Sequence, residues 1–527
     1  MGKEMEVVLR NATVTDGTGA PSFRGDVGIR GDTIVAVGPR LEGRAELEVD
    51  CQGLVVAPGF IDIHNHSDLS IFESPVARNY VTQGVTTILV GNCGSSAAPR
   101  SEGADSIPEA DGYSAEWTSF EQYLEALDGL NKALNVASLV GHGSIRAAVL
   151  GWDDVSPTPQ ELQAMNDLVE EAMKAGAFGL STGLIYAPGV YAHPSEVEEL
   201  ARTAGSYGGI YAPHLRNESD LMVEAVMEAL EVGRQSGLRV QISHHKASGH
   251  RNWGLVKTTL AIMEQARNTG VEVTCDVYPC AASSTDLYSL FPPWARQGGR
   301  QALARRLHDD EICRAVKREL ARPSLEWENI LFDAGYDEVL IARSEVFPNL
   351  QGKTLREAAA ELEVDPAEAA LELHRRDPEV GVVAGGMSEE DVRYILAHRL
   401  SLLCSDGRVI GLGQGCPHPR SYRAFTRALA TYVRDEKVLG LEEAVSKASG
   451  LPAWKLGLWD RGQVRPGFKA DLAVFDLWEL GYDSDFGDPH HYSRGMVHVL
   501  VNGEFALREG EQTDCMPGRA LRRGCPG

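Results

Sequence analysis

Short apolar runs alternate with long amphipathic stretches through the middle of this sequence, and that alternation restricts the fold more than any other feature. The runs read FIDIHNH, TTILVGNC, VASLVGHG, AFGLSTGL, GIYAPH, RVQISHH, VEVTCDVYP and LSLLCSDG. Between them lie helical patterns such as TPQELQAMNDLVEEAMKAG and DLMVEAVMEALEVGRQSG. Strands that follow one another through a helix are parallel, and eight such units are the number that closes a (β/α)8 barrel. The predicted architecture is therefore α/β, with a TIM-like barrel over residues 58–454. One interval breaks the rhythm. Between VEVTCDVYP and LSLLCSDG the chain is too long for one crossover helix, and it includes LFPPWARQGG and several helical pieces. An inserted lid or subdomain is expected at residues 285–345. Both ends of the chain have a different texture, with period-two alternation and Gly/Asp punctuation in VVLRNATVTDGTG, DVGIRGDTIVAVG and GFKADLAVFD. Residues 1–57 and 455–520 are expected to share one small β-sandwich domain built from both termini.

The chain has 527 residues and a formal net charge of -25. That balance argues against nucleic acid, whose phosphates require a basic footprint. An anionic small-molecule substrate would be repelled at long range and would need cations at its binding site. The N-terminal MGKEMEVVLR has no apolar signal-peptide core, and no run reaches membrane-spanning length. Nine cysteines, odd in number and scattered, do not form a disulfide framework. The expectation is a cytoplasmic protein, monomeric or a small homo-oligomer, without nucleic-acid or membrane partners.

Barrels of this kind place their chemistry where strands end at the C-terminal face. Those ends carry His64 and His66, Cys93, His142, His214, His244 with His245, Asp276 with Tyr278, and Asp406. Thiolate, imidazole and carboxylate are zinc ligands. A lone strand-end histidine is an ordinary structural residue, and a lone cysteine is usually a small buried hydrophobe; so many together are not. His64 and His66 are spaced to share one face of a strand. Period alone leaves open whether His244 or His245 faces inward, and whether His142 orients other groups or belongs to a loop. Cys275, Cys280, Cys404 and Cys416 read as core or loop residues.

The motifs VTTILVGNCG, GAFGLSTGLIYAPGVYA, YAPHLRNE, VQISHHKASG, DVYPCAASST, LCSDG, HPRSYRAF and GQVRPGFKADLAVFD run in order along nearly the whole chain. With GFIDIHNHSD they resemble the D-aminoacylase (N-acyl-D-amino-acid deacylase) family of the amidohydrolase superfamily. The resemblance implies a zinc-dependent enzyme that hydrolyses N-acyl-D-amino acids to a carboxylate and a free D-amino acid. It implies one tightly bound Zn2+ on Cys93, His214 and His244, and a second, weaker metal position on His64, His66 and Asp406. It also makes Asp406 the general base and acid, and assigns the substrate's α-carboxylate to Lys246, Tyr278 and Arg420. This sequence departs from the family where members read HTHDD, with Ser67 at the first acidic position. It also has Pro213 for the usual threonine, and the loop RVIGLGQGCPHP between Asp406 and Arg420 is longer and poorer in histidine. Two other readings stand beside this one: a hydantoinase- or dihydroorotase-like cyclic-amide hydrolase, and a catalytically silent barrel used in binding or assembly. GLSTGLIY lacks the lysine that bridges two metals in the first, and the complete donor set argues against the second. Leu287, Leu290 and Phe291 in the stretch from Ser284 to Trp294 favour a hydrophobic D side chain.

Overall fold

The computed structural model describes residues 5–43, 45–100 and 116–524; the N-terminal MGKE and Cys525 lie outside them. Eight parallel strands form the centre: Phe60–Asp62, Val85–Val90, Asn135–Ser138 continuing as Val140–Gly141, Gly179–Gly183, Ile210–His214, Arg239–Ile242, Val273–Val277 and Ser401–Leu403. The first and last meet through a parallel bridge between Asn65 and Gly407, where the Asp406 N–H donates to the His64 carbonyl at 2.9 Å and the His66 N–H to Gly407 at 2.8 Å. The ring and its outer helices share one continuous apolar core. Every residue of the second, fourth and fifth strands is buried, as strands covered on both sides by helices require.

The crossover helices carry their own boundary signals. Helix Pro159–Ala175 opens on a capping box between Thr158 and Glu161 with proline in its first turn, and stops at Gly176, whose φ is 120°. Met165, Val169, Ala172 and Met173 form its buried stripe.

Two further layers flank the barrel. A nine-stranded sheet combines strands from both chain ends. Strand Met5–Val14 pairs with Phe23–Arg30 on one edge and with Ala45–Asp50 and Val55–Pro58 on the other, while Leu472–Phe475 joins Val55–Pro58. The sheet curls onto its own core, in which Leu9, Ile34, Val56, Leu472 and Leu500 pack together. The segment between the seventh and eighth barrel strands holds a three-stranded sheet of Ser283–Asp286, Val339–Arg343 and Gly381–Ala384 with helices around a separate core. The insertion therefore reaches Ala384, beyond residue 345, because its third strand is the middle one of that sheet. Among the described residues no helix is long and apolar enough to cross a membrane.

Candidate metal centre and active site

Cys93, His244 and Asp406, at the ends of the second, sixth and eighth barrel strands, all have left-handed backbone, with φ of 53°, 33° and 50°. Residues with side chains avoid this region, and strain of about 1–3 kcal/mol each persists only where the surroundings impose it. Glycine makes room at Cys93: a Cβ on Gly183 would lie 2.0 Å from the Cys93 carbonyl oxygen. The strained turns aim the three side chains into one cluster. Cys93 Sγ lies 3.2 Å from His244 Nε2 and 3.3 Å from His64 Nε2. Asp406 Oδ1 lies 3.1 Å from His66 Nε2 and 3.5 Å from His64 Nε2.

Metal-competent groupings within 4.8 Å are His64–Cys93–His244, His64–His66–Asp406, and His214–Glu218–His244. The second is the set expected for the weaker position. Of the set Cys93, His214 and His244, both imidazoles act on the Cys93 sulfur and their rings lie 4.4 Å apart; His64 stands beside Cys93 as well. His64 and His66 lie beyond the strand, which ends at Asp62, so the crossing of the first and last strands, not strand alternation, brings them to Asp406.

The left-handed turn at His244 also decides the histidine pair. It breaks the alternation after Ile242, so His244 enters the cluster while His245 turns away to Thr259 Oγ1, 2.9 Å distant. Burial pushes the His245 imidazole down to about 3. His142 is likewise outside the cluster, its Nε2 bonded at 2.8 Å to Glu196 beside Arg146.

Lys246 and Arg420 both lie near the buried Tyr278 ring. The Tyr278 ring centroid lies 4.6 Å from the Arg420 guanidinium and 5.9 Å from Lys246 Nζ, and Arg420 pairs with Asp406 at 2.7 Å. Sequence reasoning misses Glu218, yet this residue holds Lys246 Nζ at 2.7 Å and His244 Nδ1 at 3.1 Å. Its signal is the acidic end of YAPHLRNE, shortly after His214. Asp276 is the second residue that supports the cluster: it accepts the His244 backbone N–H at 2.7 Å and lies 3.3 Å from His64 Nδ1, holding the His244 turn and facing the His64 imidazole.

The electrostatics suit a metal. Burial alone would raise the Cys93 thiol, but His64, His244 and His214 take it well below its ordinary value. Burial would likewise raise Asp406, and the charges of Arg420, His244 and His64 hold it well below the carboxylate range. Burial lowers His214 toward the neutral, ligating form, and neither of its buried ring nitrogens has a hydrogen-bond partner among the described residues. Burial would lower His64, His66 and His244 too, but the charges of Cys93 and Asp406 raise all three above the usual imidazole value; thiolate, imidazole and carboxylate together are the donor set of zinc. The cluster opens into a cavity of about 600 Å3 bounded by His66, Cys93, Tyr186, Asp406 and Arg420, the size of a small-molecule site. Leu287, Leu290 and Phe291 do not reach it. They are fully buried in the insertion's core, and Ser284, Thr285 and Ser289 line the cavity instead.

Comparison with known proteins identifies the family. The amidohydrolase family matches residues 47–244 and 336–506. The chain is 36% identical over 525 residues to N-acyl-D-glutamate deacylase of Alcaligenes xylosoxydans xylosoxydans, covering 99% of this chain and 98% of that protein. It is 36% identical over 521 residues to the D-aminoacylase of the same organism, covering 98% of each. The crystal structure of N-acyl-D-glutamate deacylase from Bordetella bronchiseptica, complexed with zinc and a phosphonate mimic of the tetrahedral intermediate, has a TM-score of 0.84 at 34% identity. It covers 99% of this chain and 100% of that one.

Proposed function

The chain belongs to the amidohydrolase family and, within it, to the D-aminoacylases, and from that premise we propose that it hydrolyses the amide bond of N-acyl-D-amino acids to a carboxylate and a free D-amino acid. The observation that carries this reading is the convergence of Cys93, His64, His244 and Asp406 at the base of a cavity walled by Arg420.

Cys93, His214 and His244 would hold a tightly bound zinc, with Glu218 beside them, and His64, His66 and Asp406 a weaker second ion. A metal at these positions polarises the scissile carbonyl and lowers the pKa of water. Asp406, ionised in the resting site, accepts the proton of the attacking water and passes it to the leaving amine. Arg420, Lys246 and Tyr278 hold the α-carboxylate with charge-assisted bonds in a water-poor setting. Since Arg420 touches Asp406, a carboxylate on that guanidinium sits beside the base, and the scissile amide nitrogen, one carbon away, comes within its reach. Lys246 and Arg420 both lie close to the Tyr278 ring and would fix the orientation of that carboxylate. Under the same reading the barrel spans residues 58–454, and residues 1–57 with 455–520 form the terminal β domain that supports it.

Purified protein assayed on paired N-acetyl-D- and N-acetyl-L-amino acids, with and without added zinc, tests the reaction. Turnover confined to the D series and dependent on metal is expected, with D406N at least about a hundredfold slower. Equal rates on both enantiomers, or near-normal turnover in D406N, would overturn it.

A further inference from the structure

The motif DPHHYSRG, Asp488–Gly495, lies between strands Leu472–Phe475 and Met496–Val501 of the terminal sheet, far along the chain from the metal cluster. Its His490 is half-buried and faces the loop that joins Asp406 to Arg420. The Gly413 N–H, which can only donate, meets His490 Nδ1 at 3.2 Å, and the Gly415 carbonyl, which can only accept, lies 2.8 Å from Nε2. The ring therefore carries its proton on Nε2 and spends both nitrogens on one loop. The Tyr422 hydroxyl lies 3.0 Å from the same Nδ1 and donates to the Gly411 carbonyl at 3.2 Å. Tyr422 belongs to helix Arg420–Arg427, so a single imidazole joins the loop to the helix that Arg420 opens.

The loop needs such a clamp. Residues 408–419 contain no helix or strand, and GLGQG puts three glycines into five positions. Gly413 and Gly415 take φ of 82° and 67°. Glycine permits these turns but loses the most backbone freedom when they are fixed. Yet the loop bounds the cavity, which Gln414, Pro417 and His418 line. His418 carries the order onward: its Nε2 lies 2.9 Å from the Ala282 carbonyl, and its Nδ1 accepts the Arg420 backbone N–H at 3.0 Å. The clamp at Gly413 and Gly415 is thus continuous with the bonds that seat Arg420, whose guanidinium meets Asp406 at 2.7 Å. The neighbouring His491 turns outward and pairs with Asp488 at 2.8 Å.

We propose that His490 is a positioning residue for the reaction. From the terminal sheet it holds the loop between Asp406 and Arg420 as one wall of the cavity, so that its effect falls on substrate binding and not on the metal. What the cavity binds rests on the D-aminoacylase reading; the clamp does not.

The test compares wild type, H490A, H490N, H490Q and H491A in kcat and KM on an N-acetyl-D-amino acid, in zinc content, and in hydrogen exchange of residues 409–419. H490A should raise KM about tenfold with kcat within about threefold, since a displaced wall costs binding before chemistry. Its zinc content should match the wild type, and exchange should quicken in residues 409–419 alone. Asparagine keeps an acceptor near the Nδ1 position and glutamine a donor near the Nε2 position. H490N and H490Q should therefore each recover part of the loss, and either one reads the clamp if H490A does not fold. H491A, which alters only the outward neighbour, should behave as wild type. Unchanged KM and loop exchange in H490A, even with a lower melting temperature, would leave the histidine a merely structural residue and overturn the proposal. A fall in kcat that tracks zinc loss would overturn it too. If the wild type turns over no N-acyl-D-amino acid, the deacylase reading fails, while the exchange comparison still decides the clamp.

Discussion

Cys93 sits where an apolar strand turns through a conformation that few side chains adopt, between His64 and His244. A thiol in an apolar core stays protonated, whereas this one is held low by imidazoles. If it is the anionic ligand of the tight ion, C93A should lose most of its bound zinc by elemental analysis of the purified protein; full occupancy would sink the assignment. A different histidine governs stability in acid. His374 in the insertion stacks on Tyr288 with ring centroids 5.7 Å apart, bonds the Arg300 carbonyl at 3.2 Å, and is pushed by burial down to about 4. Above its ordinary value of 6.5 the imidazole is neutral in both folded and unfolded chains, so its contribution is fully present there. As pH falls from 6.5 toward 4 the unfolded chain takes up a proton that the folded one refuses, and up to about 3 kcal/mol is lost. Denaturant midpoints at neutral pH and near the lower limit of that window should fall further for the wild type than for H374Q. Identical pH dependence in the two proteins would exclude this account.

At the scale of elements, the site depends on how closely the ends of neighbouring strands approach. Gly183 ends the fourth strand against the Cys93 carbonyl, with no space for a methyl group. G183A must displace the turn that carries Cys93, a backbone atom that cannot yield as a flexible side chain would. The expected outcome is a loss of bound metal and at least a tenfold drop in kcat/KM, with the far-UV CD spectrum unchanged. Normal metal content and activity would show that the turn tolerates the shift. The RVQISHH strand makes the same point. Its alternation holds only to Ile242, and Gln241 donates to Asp276 on the neighbouring strand at 2.8 Å, while the left-handed His244 redirects the chain beyond it.

For the molecule as a whole, Asp471 ties the terminal sheet to the barrel. Its carboxylate accepts from Asn135 of the third barrel strand at 3.3 Å and from the Asn502 N–H at 2.6 Å, and it pairs with the buried Arg461. Removing one partner of a buried pair leaves the other charge uncompensated, at a cost of about 3–5 kcal/mol. D471A should lose that much in chemical unfolding while KM at low temperature stays near the wild-type value. A loss below about 1 kcal/mol would mean that the junction is held by packing alone. The junction could not be read from local pattern, because Asn135 and Asp471 are brought together only by the fold.

By itself the sequence determined the strand–helix rhythm of a barrel, the β texture of both ends and the presence of a zinc-type donor set at strand ends, because periodicity and residue chemistry are local properties. Only the tertiary structure decided that His244 and not His245 joins the cluster, and that His64 stands beside Cys93. It also decided that Glu218 and Asp276 orient the imidazoles, and that Leu287, Leu290 and Phe291 fill a core instead of the cavity. Period tells which residues share a face but not which face looks inward. At this site the strained turns at Cys93, His244 and Asp406 break the period where the chemistry begins, so the arrangement is set by contacts between residues far apart in the chain.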